Sequence, residues 1–177
     1  MLRTALVSLA VLAVAGTATA GPEAEALIKN AASELAAGDL TPDELTEMVD
    51  SHAIASFALG RHKASIDDVA FDQFKSAFTG FLEQTFSDHA HRFEGATIRV
   101  TGSNDRSARD SIVTTQVSLP GVAPETVRWR VLNRDGEWKI VDVQVQGLWL
   151  AIEQRAQVAA VLDRENGRID AAIEALG

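Results

Sequence analysis

The sequence contains no cysteine and no tyrosine among its 177 residues. Without cysteine the chain forms no disulfide bond, has no thiol nucleophile and lacks the lipidated residue of a bacterial lipoprotein. It also has no G-x-S-x-G motif, so the nucleophile elbow of the α/β hydrolases is excluded. Stability must therefore come from the packing of a core.

The chain is short of basic residues, with 16 Lys and Arg against 25 Asp and Glu and a formal net charge of −9 at pH 7. Nucleic acid and anionic lipid headgroups both repel an acidic protein. We therefore expect no nucleic-acid partner and no permanent attachment to a membrane surface. The acidic surface is expected to keep the protein soluble.

The first twenty residues have the pattern of a secretory signal peptide. Arg3 precedes an apolar run over residues 5–15, which is too short to span a bilayer, and residues 18–20 (Ala-Thr-Ala) form a cleavage site. The pattern predicts cleavage before Gly21 and export to the periplasm; the alternative is a short N-terminal anchor helix. Residues 21–177 contain no linker and no second run of about 20 apolar residues, so they predict one domain.

The N-terminal half of the chain predicts helices. Apolar residues recur at helical spacing over residues 21–37, and Thr41, Pro42 and Glu44 form a capping box with proline at the first helical position. Residues 65–68 predict a second cap ahead of a long helix that runs to about Arg92. That helix carries an apolar stripe that steps by three or four residues. The stripe is Phe71, Phe74, Phe78, Phe81, Leu82 and Phe86.

From residue 96 the apolar period changes to two, which predicts four antiparallel strands. They cover residues 96–102, 111–119, 126–133 and 137–146, with turn signals at Asn104-Asp105, Pro120-Gly121 and Asp135-Gly136. Helices return at Leu148, run to about Arg164, and end with a short helix after Gly167. This order predicts an α+β fold, a curved antiparallel four-stranded sheet with helices packed on one face and at both ends of the chain.

Groups able to transfer protons are few. The spacing of His89 and His91 turns their side chains about 200° apart on a helix, so we expect no metal site there. Asp142 lies in mid-strand, and as a general base it would need His52 or His62 within reach. The alternative is a structural carboxylate beside a helix N-terminus or an arginine, for which the candidates are Arg128, Arg130 and Arg155. We expect no catalytic residue, no metal and no cofactor.

The apolar pattern is stronger than any catalytic one. By strand parity Val127, Trp129 and Val131 share one face, and Val141, Val143 and Val145 share one face of the next strand. With the helical stripe they form either a filled core or the wall of a hollow, and the pattern fits both.

Two stretches resemble the MlaC / toluene-tolerance family of periplasmic phospholipid-binding proteins. Residues 60–86, GRHKASIDDVAFDQFKSAFTGFLEQTF, are similar to the segment in which a Gly-Arg turn leads into a helix with repeated aromatics. Residues 127–162, VRWRVLNRDGEWKIVDVQVQGLWLAIEQRAQVAAVL, resemble its strand hairpin, apolar seam and arginine-bearing helix. The matching residues there are Gly136, Trp138, Lys139, Asp142, Val143, Gly147, Leu148 and Arg155.

The resemblance implies a sheet wrapped by helices, as in nuclear transport factor 2, with a deep apolar cavity for acyl chains between them. Family members carry phospholipid between an outer-membrane lipoprotein complex and an inner-membrane ABC transporter complex. This transport is associated with outer-membrane lipid asymmetry and toluene tolerance. No bond is made or broken. A related branch is associated with hopanoid synthesis, so a hopanoid-associated carrier stays open as an alternative, beside a small cavity enzyme using Asp142.

On this basis we expect the lipid-binding residues to lie on the long helix, on the two central strands and at the seam that follows them. They are Phe74, Phe78, Phe81, Leu82, Val127, Trp129, Val131, Val143, Val145, Leu148, Trp149 and Ile152. Trp149 stands where the family commonly has a small serine, and an indole pointing inward there would narrow or plug the cavity mouth.

Overall fold

Helices precede and follow a meander of strands in the computed structural model, which describes residues 21–177; the predicted signal peptide, residues 1–20, lies outside the described residues. The helices are α1 (Gly21–Ala37), α2 (Pro42–Met48), α3 (Ser51–Leu59), α4 (Asp68–His89), α5 (Leu150–Arg164) and α6 (Ile169–Glu174). The strands are β1 (Thr97–Ser107), β2 (Asp110–Ser118), β3 (Glu125–Arg134), β4 (Glu137–Val145) and β5 (Leu148–Trp149). Short 3₁₀ turns, Gly60–Ser65 and Ala90–Phe93, follow α3 and α4. The predicted α+β class is confirmed.

The sheet is antiparallel with the strands in chain order, and it has one strand more than the sequence predicts. Gln146 and Gly147 adopt positive φ angles of 53° and 83°, which turn the chain back onto β4. Leu148 then pairs with Val145, and Trp149 pairs with Gln144. The prediction that a helix begins at Leu148 is therefore wrong by two residues, since α5 begins at Leu150.

Two other strand predictions differ from the structure. β1 runs through the predicted turn at Asn104-Asp105, and the turn lies at residues 108–109. In β4 a bulge falls at Val141, because Val131 lies opposite Ile140 while Arg130 lies opposite Asp142. Directly opposed residues share a face of the sheet. The residue that shares the face of Val131 and Val143 is thus Ile140, and the expectation for Val141 is wrong.

Side-chain caps mark the starts of α2, α3 and α4, and at α3 the Asp50 carboxylate accepts from the Ala53 N–H at 2.8 Å. The Thr41 hydroxyl accepts from the Glu44 backbone N–H, and the Glu44 carboxylate accepts from the Thr41 N–H, so the predicted capping box is confirmed. The long helix α4 is capped by Asp67, whose carboxylate accepts from the Ala70 N–H at 2.8 Å. Asp67 lies within the capping signature predicted at residues 65–68, whereas Ser65 lies in the preceding 3₁₀ turn.

The interior divides into two cores. In the sheet core, Ala24 and Ile28 of α1 pack against Val113, Val131 and Ile140 of the three central strands. In the helical core, Phe71, Phe74 and Phe78 of α4 pack against α3, α5 and α6, through Ala55, Ala58, Leu59, Val158, Leu162 and Ala172. The first half of the apolar stripe is therefore covered by helices, and Leu82 and Phe86 of the second half face the space between the cores.

No helix within residues 21–177 combines the length and the apolarity needed to cross a bilayer.

Candidate functional site

A main cavity of about 390 Å³ lies between α1, the sheet and the C-terminal end of α4. The α1 wall contains Ala31 and Ala32, whose short side chains leave space above the strands. Aliphatic and aromatic side chains make up most of the remaining wall. They include Ile28, Leu35, Leu40, Leu45, Phe86, Phe93, Ile98, Val117, Leu119, Val127, Trp129, Ile140, Val143 and Val145.

A side cavity of about 230 Å³ lies next to it, between α2, α4, β4 and the start of α5. Val49, Ile54, Phe78, Leu82 and Leu150 are among its apolar walls. Five residues line both cavities, which are Leu45, Phe86, Trp129, Ile140 and Val143. The two cavities are therefore separated only by these shared side chains, and together they form one apolar interior region.

Each cavity reaches the surface at a different edge. The exposed residues lining the main cavity are His89 and Arg92, at the end of α4, and Val122 and Ala123 in the β2–β3 loop. We call this opening the main mouth. The exposed residues lining the side cavity are Thr85 and Leu150, so it opens between α4 and α5.

Of the five residues that line both cavities, Trp129 alone has a hydrogen-bond donor in its side chain. Its indole N–H is bonded to a residue of the sheet. The indole Nε1–H donates to the Thr115 hydroxyl at 2.9 Å, and that hydroxyl donates to the Val127 carbonyl oxygen at 3.2 Å. A buried indole usually finds such a partner. The bond fixes the ring and leaves its hydrocarbon surface to the cavities.

Asp142 lines the side cavity and holds the first turn of α5. One carboxylate oxygen accepts from the Ala151 N–H at 2.9 Å and from the Val143 N–H at 2.8 Å. Burial raises the pKa of Asp142, against the lowering effect of these two hydrogen bonds and of the Arg130 charge. Arg130 itself is bonded to Asp110. This is the helix-N-terminus alternative considered for Asp142.

The histidines considered as partners of Asp142 have other contacts. The His52 ring packs edge-on against Phe71, with ring centroids 5.0 Å apart. His62 Nε2 lies 3.0 Å from Asp163 Oδ1. Across residues 21–177, no group of three His, Asp or Glu side chains is arranged to hold a metal ion.

The family model of the MlaC protein matches residues 26–177. The chain belongs to the MlaC family. A solved structure of similar fold is that of the phospholipid-binding protein from Ralstonia solanacearum in complex with a phospholipid, at a TM-score of 0.73 and 22% identity. The alignment covers 87% of this chain and 94% of that one. No curated protein matches the chain.

In this MlaC-family chain, six of the twelve side chains expected to bind lipid line the cavities. Val127 and Val145 line the main cavity, Phe78 and Leu82 line the side cavity, and Trp129 and Val143 line both. Strand parity places Val127 with Trp129 and Val143 with Val145 on shared faces of the sheet, and the helical stripe places Phe78 beside Leu82.

The other six lie outside the cavity walls. Phe74 and Val131 are fully buried in the helical and sheet cores, and Phe81 packs its ring on Phe78 at 6.0 Å. Leu148 and Ile152 are more than half exposed, at 57% and 53%. Trp149 is half-buried in β5 and lines neither cavity, so it leaves the cavities open. Their role in lipid binding stays a prediction.

Sequence reasoning missed most of the N-terminal wall. Ile28, Ala31, Ala32 and Leu35 lie on one face of α1 at the spacing of an amphipathic helix, a signal present in the sequence. Leu45 and Phe86, which separate the two cavities, were visible as apolar positions only. Their position on the same cavity walls depends on how α2 and α4 pack, which no local pattern encodes.

Proposed function

We propose that this chain is a periplasmic lipid carrier. Residues 21–177 act as one lipid-binding domain that holds the acyl chains of a phospholipid in the main and side cavities. The carrier moves lipid between an inner-membrane ABC transporter complex and an outer-membrane lipoprotein complex, without catalysing a reaction. The observation that carries the proposal is the pair of adjoining apolar cavities within the fold of an MlaC-family chain.

The size and lining of the cavities support an acyl ligand. Small-molecule sites typically measure about 300–1,000 Å³, and the main cavity alone has about 390 Å³. Its walls are mostly aliphatic and aromatic, which suits hydrocarbon chains rather than a polar metabolite. The structural relative from Ralstonia solanacearum, which holds a phospholipid, has the same fold and gives further support.

The energetics explain why such a carrier is needed. Each methylene transferred to water costs ~0.8 kcal/mol, so two acyl chains with on the order of 30 methylenes cost ~25 kcal/mol. A free lipid therefore does not cross an aqueous compartment at a useful rate. Contacts between apolar side chains and acyl chains are non-directional. The bound lipid can therefore be released as well as held.

A cavity-filling variant tests the proposal. Ala31→Phe places a ring into the main cavity from α1, and it is expected to remove most of the lipid that co-purifies with the protein from the periplasm. Ala37→Phe, an exposed position at the end of the same helix, is the matched control and is expected to keep the wild-type load. Organic extraction followed by mass spectrometry measures lipid per protein. Equal loads in Ala31→Phe and wild type, or no load in any of the three, would refute the proposal.

A further inference from the structure

The main mouth carries charge of both signs at the edge of an otherwise apolar wall. Arg92 reaches it from the 3₁₀ turn that follows α4, and Glu125 reaches it from the first residue of β3. These two side chains belong to different walls of the same cavity. A ligand whose chains fill the cavity must leave its polar end at this mouth, because polar groups buried in an apolar space lose their hydration.

Arg92 is the one Lys or Arg side chain of residues 21–177 that lines either cavity. Within that part of the chain it makes no ion pair, whereas Arg61, Arg130 and Arg134 are each paired with an aspartate. An exposed guanidinium with unused donors is suited to a phosphate, which it can bind through two parallel hydrogen bonds. The positive charge is local, since the whole chain has a net charge of −9.

Glu125 makes no ion pair within residues 21–177 either, and it is half-buried where the cavity meets the β2–β3 loop. A carboxylate at the same mouth as Arg92 repels a second negative charge on a headgroup and attracts an ammonium group. A headgroup with one phosphodiester and one ammonium matches both side chains at once.

We propose that the main mouth is a headgroup site for a zwitterionic phospholipid, in which Arg92 binds the phosphodiester and Glu125 binds the ammonium group. This inference rests on the proposed lipid-carrier function and specifies its ligand. It makes Arg92 and Glu125 specificity-determining residues, while the apolar walls provide most of the affinity.

The experiment is a competition between three lipids with identical acyl chains. Delipidated protein is loaded from an equimolar mixture of phosphatidylethanolamine, phosphatidylglycerol and diacylglycerol, and the bound fractions are read by native mass spectrometry. Wild type is expected to prefer the zwitterionic lipid. Because exposed charge pairs contribute little, Arg92→Gln is expected to lower the phosphatidylethanolamine-to-diacylglycerol ratio about two- to fivefold. Glu125→Gln is expected to lower the phosphatidylethanolamine-to-phosphatidylglycerol ratio by a similar factor of about two to five.

Arg109→Gln is the matched control, since Arg109 is exposed in the β1–β2 turn, lines neither cavity and makes no ion pair within residues 21–177. Unchanged ratios in Arg92→Gln, or a shift in Arg109→Gln instead, would overturn the inference while leaving the carrier function standing. Failure of wild type to load any of the three lipids would contradict both the headgroup site and the carrier function. Inorganic phosphate is tested alone, and we expect no adduct. A phosphate adduct lost in Arg92→Gln, with lipid ratios unchanged, would indicate a free-phosphate site and contradict the inference.

Discussion

A single carboxylate shows why side-chain type alone does not give a role. Asp142 has the strand position of a general base, yet its oxygen accepts hydrogen bonds from the first turn of α5 and from Val143. The first N–H groups of a helix lack partners within the helix, and here the Asp142 carboxylate of β4 accepts from one of them. The contact joins β4 to α5 at the edge of the side cavity, so Asp142 is a structural residue of the cavity wall.

The titration of Asp142 gives a prediction at this scale. Burial raises its folded-state pKa, so just above the ordinary aspartate pKa the folded protein binds more protons than the unfolded chain. The contribution of Asp142 to the free energy of unfolding is therefore present at low pH and lost as pH rises through the folded-state pKa. Asp142→Asn keeps the acceptor but does not titrate. We expect the free energy of unfolding of wild type, minus that of Asp142→Asn, to fall as pH rises. Urea unfolding at several pH values measures both.

Asp142→Ala is the control for the hydrogen bonds, because it removes the acceptor. Relative to Asp142→Asn it is expected to cost about 1 kcal/mol at every pH, the usual effect of deleting a helix-capping side chain, because neither variant titrates. A difference between wild type and Asp142→Asn that grows as pH rises would show that the pKa of Asp142 is lowered in the fold.

At the scale of elements, local chemistry could be predicted and register could not. The capping box at Thr41 and the Asp135-Gly136 hairpin each depend on a few neighbouring residues, and the sequence contains all of them. The bulge at Val141 falls beside Ile140, whose carbonyl oxygen accepts from the Asp50 N–H at 2.9 Å. That contact joins β4 to the α2–α3 junction across a long stretch of chain, so strand parity alone misplaced Val141.

The strand β5 was missed for a related reason. Leu148 and Trp149 precede a helical pattern without any breaker, so the sequence favours a helix there. What makes them a strand is the turn before them, in which Gln146, a residue with a side chain, adopts a positive φ of 53°. Positive φ is uncommon outside glycine, and glutamine gives no signal for it.

Two glycine-to-alanine substitutions, one in this turn and one inside a helix, test the backbone conformation at each position. Gly147 has a φ of 83° and open space around the position of an added Cβ, so Gly147→Ala is expected to cost about 1 kcal/mol through backbone strain alone. Gly80 is exposed in α4 with equally open space, and Gly80→Ala is expected to stabilise by about 1 kcal/mol. Chemical denaturation measures both. Equal effects of the same sign would contradict the assigned backbone conformations.

At the scale of the whole molecule, the cavities lie between two separate clusters of buried residues, the helical core and the sheet core. The first half of α4 packs on α3, α5 and α6, whereas α1 packs on the sheet, and the cavities lie where the two cores do not meet. Residue pattern predicts that these faces are apolar, and they are. It does not predict the gap between them, because a closed core needs the same residue types. The expectation of a cavity came from the family resemblance.

A ligand that fills the gap should join the two cores and stabilise the molecule. Binding to the folded state alone adds about 2.7 kcal/mol when the free ligand is at a hundred times its Kd, or about 5–10 °C in Tm for a chain of this size. We expect delipidated protein to melt lower than loaded protein by this amount, as measured by calorimetry. In Ala31→Phe the added lipid should produce little shift.

The central claim is that the cavities hold lipid in the protein as cells make it. The most direct measurement is the native mass of the wild-type protein purified from the periplasm without detergent. We expect a mass above that of residues 21–177 by one phospholipid, lost when the protein is denatured. A population that has only the mass of the polypeptide, and that takes up no phospholipid when it is offered, would contradict the claim.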